Sequence, residues 1–370
     1  MVPAPNVVLS VSPPLDVRVF RTKLMAWYEV HARKLPWRGI HDPYRTWVSE
    51  IMLQQTRVAA VIAHYHEFVD RFPSVAALAR ASESEVLAAW SGLGYYRRAR
   101  MMHGAAQFVV RELEGVLPTT AEELRKLPGI GDYTCAAIAS ISFGESIAVV
   151  DGNVERVLLR VTGQAEEATA AGRAFVRQQA SALVPPRGRD DGTNAAGDHN
   201  QAMMELGATI CLPRGPLCLQ CPVYDLCRTR GEHVTPPRAK AHSRPAAYLL
   251  ETRRRGPTTE VLLERRPDDA SLMAGMYELP PLPMDAVEGM EPALRLRHAI
   301  TNTVYAVQIF ESRNASDKTL RRSIPASKAM LHWTPVTKLG ELPLTGLARK
   351  VLERLKIMQG RSQPDPRAPV

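Results

Sequence analysis

The 370-residue chain has no run of about 18 uninterrupted apolar residues, the length a spanning helix needs. Its most apolar stretch, Tyr133 to Val150, is broken by Gly144, Glu145 and several serines, so no membrane association is expected. The first residues, Met1 to Leu15, have no basic segment and are interrupted by Pro3, Pro5, Pro13 and Pro14, which argues against a secretory signal and for a cytoplasmic protein. Cysteine is scarce: five in a chain of this length do not make a disulfide scaffold. Missing too is the charge-rich, hydrophobe-poor signature of disorder, since 45% of residues are apolar and 23% charged. Most of the chain is expected to fold, in two or three domains.

Charge does not decide the partner. Lysine and arginine outnumber acids by 47 to 38, and the net +9 is spread as +3 over residues 1–240 and +6 over 241–370. Local knots stand at Arg33/Lys34/Arg38 and Arg97/Arg98/Arg100. An anionic partner is compatible with this balance but not demanded by it.

What cysteine there is falls together. Cys211, Cys218, Cys221 and Cys227 read C-x6-C-x2-C-x5-C, with Pro213, Gly215, Pro216 and Pro222 between them, a loop folded around something. Four thiolates converging in a loop suit a metal. Zinc ribbons pair two well-separated C-x2-C knuckles, whereas here one is flanked by single cysteines, which favours a [4Fe-4S] cluster over zinc. The plainer reading is four unliganded cysteines that happen to cluster. Cys135, in an Ala/Ile helical run, reads as a small buried hydrophobe.

From about Val17 to Leu206 the pattern is one of successive amphipathic helices, among them Ala77 to Trp90, Arg98 to Leu113 and Arg173 to Leu183. The polar stretch Pro185 to Asp198 is expected to be a loop before a helix carrying Asn200 to Gly207. After Pro236-Pro237-Arg238-Ala239-Lys240 the texture turns to β-like runs at Ala246–Leu250, Val261–Glu264, Val304–Phe310 and Met330–Trp333, closed by a helix from about Leu344 to Ile357. The expected domains are therefore a mainly helical one over 17–235, with the cysteine loop at 211–227, a linker at 236–245, and an α+β domain over 246–357. Residues 1–16 and 358–370 are expected to be disordered.

Two features suggest chemistry. Leu127-Pro128-Gly129-Ile130-Gly131 lies between helical runs, and its glycines permit a hairpin whose outward N–H groups, together with the next helix N-terminus, can hold a phosphate without reading sequence. An ordinary helix connector would look much the same. Glu50 sits in the apolar run Trp47-Val48-Ser49-Glu50-Ile51-Met52-Leu53, and Asp151 follows Val149-Val150 and precedes Gly152-Asn153. A buried carboxyl tends to a raised pKa and can act as a general acid. Asp151 also suits a helix N-cap, and Glu50 could reach solvent or pair with an arginine.

Leu35-Pro36-Trp37-Arg38, Ser49 to Thr56, Gly92-Leu93-Gly94-Tyr95-Tyr96, the Leu127 to Gly131 hairpin, Val150-Asp151-Gly152-Asn153-Val154 and the four cysteines occur in an order that resembles the MutY-type adenine DNA glycosylases. The resemblance covers roughly residues 17–357 and is more specific in the first two-thirds. It implies a helix-hairpin-helix glycosylase fold with an iron–sulfur cluster loop and a C-terminal domain similar to the MutT/Nudix fold. It further implies a monomer acting on double-stranded DNA, with adenine opposite 8-oxoguanine or guanine as the target and hydrolysis of its N-glycosidic bond as the act. The adenine must be flipped from the stack at a cost of roughly a few kcal/mol. Protonating the departing purine while stabilising an oxocarbenium-like sugar is the two-carboxylate problem that glycoside hydrolases solve.

By that resemblance Glu50 protonates adenine, with N7 as the protonated atom, and handles the water; Asp151 stabilises the cationic sugar, electrostatically or by a transient covalent bond. Asn153 and Tyr133 are expected to support the sugar and Asp151, and Arg33 and Glu205 to orient the carboxylates, unless they form a purely structural ion pair. Arg38, Gln54, Gln55, Thr56, Leu93, Gly94, Tyr95, Gly129 and Gly131 are expected at DNA, with Gln55, Thr56, Leu93 and Tyr95 beside the 8-oxoguanine; for Leu93 helix packing is the strongest alternative. Endonuclease III-like relatives carry a lysine where Tyr133 stands and form a Schiff base through it. A phenol cannot, and Lys126 lies before the hairpin, so a monofunctional enzyme is expected.

In the C-terminal domain, Arg265-Arg266-Pro267 through Pro280 is similar to the opening of the family's domain, but no glutamate-rich magnesium helix follows, so recognition rather than hydrolysis is expected. The place of the family's Phe-Ser-His-like loop is Ile300-Thr301-Asn302, with Thr301 and Asn302 as candidate readers of the oxidised guanine and His298 as a solvated loop histidine. The competing readings are a bifunctional endonuclease III-like lyase and a non-catalytic iron–sulfur DNA-binding protein, which would not need Glu50 and Asp151 together.

Overall fold

The computed structural model describes residues 15–167, 169–187, 194–233, 242–300, 303–312, 319–325 and 330–360. Before the cysteine segment run helices α1 (Val17–His31), α2 (Pro43–Leu53), α3 (Val58–Arg71), α4 (Val75–Arg80), α5 (Glu83–Trp90) and α6 (Arg97–Glu112). They are followed by α7 (Ala121–Leu124), α8 (Asp132–Phe143), α9 (Gly152–Thr162), α10 (Ala170–Leu183) and α11 (Ala195–Thr209). Beyond it come β1 (His242–Arg255), β2 (Thr258–Arg265), β3 (Tyr277–Glu278), β4 (Pro281–Leu282), β5 (Leu294–Ile300), β6 (Thr303–Ser312), α12 (Thr319–Arg322), β7 (Met330–Pro335) and α13 (Gly346–Arg354). Among the described residues no strand precedes β1, and no helix is long and apolar enough to cross a membrane.

The chain divides into two compact units, each discontinuous in sequence. The first takes Met1–Trp47, Pro118–Lys126 and Ile130–Pro236; the second takes Val48–Leu117, Leu127–Gly129 and Pro237–Val370.

In the first unit Phe20, Leu24 and Trp27 of α1 pack with Val154, Val157, Leu158 and Val161 of α9, Val176, Ala180 and Leu183 of α10, and Leu206 of α11. The apolar i, i+3, i+4 spacing puts those positions on one face of each helix. Side-chain oxygens close the starts: Asp16 accepts from Val19 N at 3.0 Å, Asp151 caps α9, Thr169 caps α10 and Asn194 caps α11. The expected loop from Pro185 to Asp198 is shortened by this last cap, since Asn194 starts α11 at Ala195.

In the second unit α3–α6 bury Phe68, Trp90, Met102 and Val109, with Phe68 edge-on to Trp90 at 5.9 Å. The single helix expected over Ala77–Trp90 is two helices, because Ser82 and Glu85 form a reciprocal capping box that starts α5 afresh. The sheet runs β3-β2-β1-β6-β5, with β4 added on β1 and β7 on β2; β1 and β6 are parallel. Both faces are covered, one by Leu347, Val351 and Leu352 of α13 against Val261, Leu263, Val307 and Ile309, the other by Leu282, Val287 and Leu320 against Leu249 and Phe310. Strands β3, β4 and β5 add to the four expected runs. The closing helix is shorter than expected, and Ile357 and Met358 after it still pack on the core.

Candidate active site

Asp151, a candidate site residue, caps α9. Its Oδ1 accepts from the backbone N–H groups of Asn153 (2.9 Å) and Val154 (2.7 Å), and its Oδ2 accepts from Asn153 Nδ2 (2.9 Å). These donors fix the carboxylate at the positive end of α9. Asn153 Oδ1 in turn accepts from Arg156 Nη2 (2.8 Å), and the same guanidinium donates to the carbonyls of Gly207 (2.7 Å) and Cys211 (2.8 Å). Burial pushes the Arg156 pKa down, and the carbonyls it donates to offset part of the cost of burying the charge. Glycine is required at 207: a Cβ there would lie 2.6 Å from Asn153 Cβ and 2.9 Å from its carbonyl oxygen.

Arg33 and Glu205 do pair. Arg33 Nε and Nη2 donate to Glu205 at 2.7 and 2.8 Å, its backbone N–H at 3.1 Å, and Arg38 Nη2 adds 2.6 Å. Burial alone would push the Glu205 carboxyl up, but the arginine hydrogen bonds outweigh it and hold the pKa at about 2. Arg38, expected at DNA, is engaged here, in a hydrogen bond to the Arg33 carbonyl and over the Tyr28 ring at 5.4 Å. Tyr133, half-buried in the first turn of α8, donates its phenol to Met204 Sδ at 3.5 Å.

The hairpin from Leu127 to Gly131 joins α7 to α8, with Gly129 at φ +77°. A Cβ at Gly129 would meet Met101 Cβ at 2.7 Å, so glycine is needed there for space as well as conformation. Gly131 caps α8 without a side chain, leaving the first-turn N–H groups without a side-chain acceptor from the cap. Arg125 pairs with Asp132 at that end.

Cys211, Cys218, Cys221 and Cys227 line one cavity with Arg160, Ile210, Val223 and Tyr224. Burial, and then the neighbouring thiols, push the Cys221 pKa up to about 11. Arg160, 3% exposed, clamps the loop by donating to Cys211 Sγ (3.4 Å), the Leu212 carbonyl (2.6 Å) and the Pro213 carbonyl (3.0 Å). Arg230 N donates to Cys227 Sγ at 3.5 Å. A four-cysteine pocket with N–H donors to two of its sulfurs fits an iron–sulfur cluster.

In the second unit Glu50 is 5% exposed on α2. The following segment turns sharply, with Gln55 at φ +55°, exposed, and Thr56 half-buried. In the loop before α6, Gly94 (φ +70°) and Tyr95 (φ +48°) are left-handed; Tyr95 is 48% exposed while Leu93 is only 6%, so Leu93 packs inward. Non-glycine residues at positive φ store strain, and two of them stand at positions assigned to DNA. Arg98 ties the two segments: it donates to the carbonyls of Ile51, Met52 and Gly94 and to the Thr56 hydroxyl, and it lies over the rings of Trp90 and Tyr95. Burial pulls its pKa down to about 10. Sequence reasoning missed Arg98 and Arg156. Arg98 was hidden in a basic knot, and Arg156 had a usable signal, its place three residues after Asn153 on one helix face.

Thr301 and Asn302 lie outside the described residues; their neighbours Ile300 and Thr303 pair as β5 and β6. His298 is not a loop residue. It pairs with Tyr305 within that ladder, and burial, then Lys350, lowers its pKa.

Residues 48–182 match the family described as HhH-GPD superfamily base excision DNA repair protein. The chain is 47% identical over 228 residues to an adenine DNA glycosylase of Homo sapiens, covering 58% of this chain and 40% of the human protein. It is 41% identical over 211 residues to the adenine DNA glycosylase of Mycobacterium tuberculosis, covering 56% of this chain and 67% of that relative. Among solved structures, a thermostable thymine-DNA glycosylase superposes with a TM-score of 0.52 at 29% identity, over 58% of this chain and 96% of that one. The match therefore spans well under half of the human relative and two thirds of the mycobacterial one, and on the latter the chain belongs to the adenine DNA glycosylase family, within the HhH-GPD superfamily.

Proposed function

We propose that the protein is a monofunctional adenine DNA glycosylase of base-excision repair, releasing adenine opposite 8-oxoguanine or guanine in duplex DNA. The observation that carries this reading is the mycobacterial match, and the fixing of Asp151 by Asn153, itself held by Arg156, supports it. Glu50 protonates the departing adenine. Asp151, kept in place by three N–H donors, stabilises the positive charge that develops on the sugar. Tyr133 offers no amine for a Schiff base, so the strand is left uncut.

Duplex DNA is gripped through the Leu127–Gly131 turn and the uncapped start of α8. Gln55, Thr56 and Tyr95 stand beside the base opposite adenine. The four cysteines hold a [4Fe-4S] cluster that orders the 211–227 loop; hydrolysis transfers no electrons, so its contribution is structural. Glu50→Gln is the test. Release of adenine in single turnover is expected to fall by about 10²- to 10⁴-fold with binding to the mispaired duplex retained. Full turnover with weakened binding would contradict the assignment.

A further inference from the structure

The loop from Ser91 to Tyr96, which carries Gly94 and Tyr95, is anchored at both ends to one carbonyl. Ser91, 0% exposed, donates its hydroxyl to the Leu344 carbonyl at 2.7 Å, and Tyr96, 6% exposed, donates its phenol to the same oxygen at 3.3 Å. Arg349 of α13, 6% exposed, donates from Nε to the Ser91 hydroxyl oxygen at 2.9 Å. His64 Nε2 stands 3.1 Å from the Ser91 carbonyl. Space is tight as well: a Cβ on Gly92 would come within 3.1 Å of His64 Nε2 and 3.5 Å of Arg349 Cδ.

Leu344 is itself held. The next residue, Thr345, caps α13, its backbone N–H donates to the Tyr277 carbonyl at 2.9 Å, and its hydroxyl donates to Glu278. Arg349 also faces Glu353 at 3.6 Å. Burying a guanidinium is costly unless its N–H groups are used, and here Nε is used on the residue that begins the loop. Packing alone would not call for an arginine at that position.

We infer that Arg349 is a positioning residue for adenine excision: acting through Ser91, it fixes where Gly94 and Tyr95 stand and thereby sets how strongly the protein prefers adenine opposite 8-oxoguanine over adenine opposite guanine. The inference rests on the reading of this loop given under the proposed function. With Arg349 removed, the Ser91 hydroxyl keeps its bond to Leu344 but loses its orienting donor, and the strained turn that follows can relax away from the base.

The test compares the full chain with Arg349→Ala, Ser91→Ala and the double variant. Single-turnover adenine release is measured on duplexes with 8-oxoguanine and with guanine opposite adenine, at a temperature where each variant is folded by thermal melting. Hydrogen exchange of the amides of residues 91–96 is followed in the free protein. The preference is expected to fall about tenfold in each single variant and little further in the double, because both break one interaction. Exchange should quicken within 91–96. Should Arg349→Ala not fold, the smaller change Ser91→Ala carries the same expectation. A folded variant with unchanged preference, or with release slowed equally on both duplexes, overturns the inference. A wild-type protein without any preference overturns instead the reading of the loop, and with it the inference, so the two failures are told apart.

Discussion

Glu205 in the first unit and Glu278 in the second are both buried, at 1% and 5% exposure, yet their pKa values are shifted in opposite directions. Burial pushes both carboxyls up. At Glu205 hydrogen bonds from Arg33 and Arg38 reverse that and bring the pKa to about 2. At Glu278 the donors are neutral, the Thr345 hydroxyl and the Leu279 N–H at 2.9 Å, and the pKa stays up at about 7. Depth does not decide the charge; the partners do. The first unit thus holds a fixed anion against its basic knot, while the second holds a carboxyl that titrates near neutrality beneath the cap of α13.

The sharpest test of that contrast is Glu205→Gln, which leaves Arg33 and Arg38 facing a neutral amide. Removing one side of a buried pair is expected to cost about 3–5 kcal/mol, read by chemical denaturation at pH 7. The sign with pH follows from the lowered pKa: this stabilisation is present above the ordinary value of 4.5 and is lost as pH falls towards about 2. Equal stability of variant and wild type would remove the ion pair from the account.

A smaller effect separates charge from packing in the same unit. Gly207→Ala places a methyl 2.6 Å from Asn153 Cβ, and overpacking of this kind should cost about 1–3 kcal/mol while slowing adenine release by displacing Asn153 from Asp151. Unaltered release would show that Asn153 does not hold Asp151 in its working position.

The smallest effect belongs to Glu278. Its raised pKa means that its stabilisation is present below 4.5 and is lost as pH rises through about 7, with a slope of at most about 1.4 kcal/mol per pH unit. Glu278→Gln should flatten the stability profile between those values. A profile that rises with pH in wild type, and is unaffected by the substitution, would contradict a raised Glu278 pKa.

Local chemistry was readable from sequence where neighbours in the chain supply it. Asp151-Gly152-Asn153 was legible as a cap, and it is one: the donors that start α9 are the ones that hold the carboxylate proposed to face the sugar. The cysteine loop was legible from its spacing alone. Ser82 and Glu85 were equally local, yet the apolar period over Ala77–Trp90 ran through them and hid the capping box. What could not be read were partners far apart: Arg349 meets Ser91 across 258 positions, and Arg98 meets Ile51 across 47. Of Arg97, Arg98 and Arg100, only the fold says that Arg98 turns inward. Strand β5 went unread although Leu294, Leu296, His298 and Ile300 alternate with exposed Arg295, Arg297 and Ala299, and without it His298 read as a loop residue.

The protein is proposed to release adenine and leave the strand intact. The most direct test is a single-turnover incubation of the full chain with a duplex carrying adenine opposite 8-oxoguanine, assayed for strand breaks before and after alkali. Breaks that appear only after alkali are the predicted result. Breaks without alkali would require a lysine that Tyr133 cannot replace and would contradict the claim, as would no breaks in either assay.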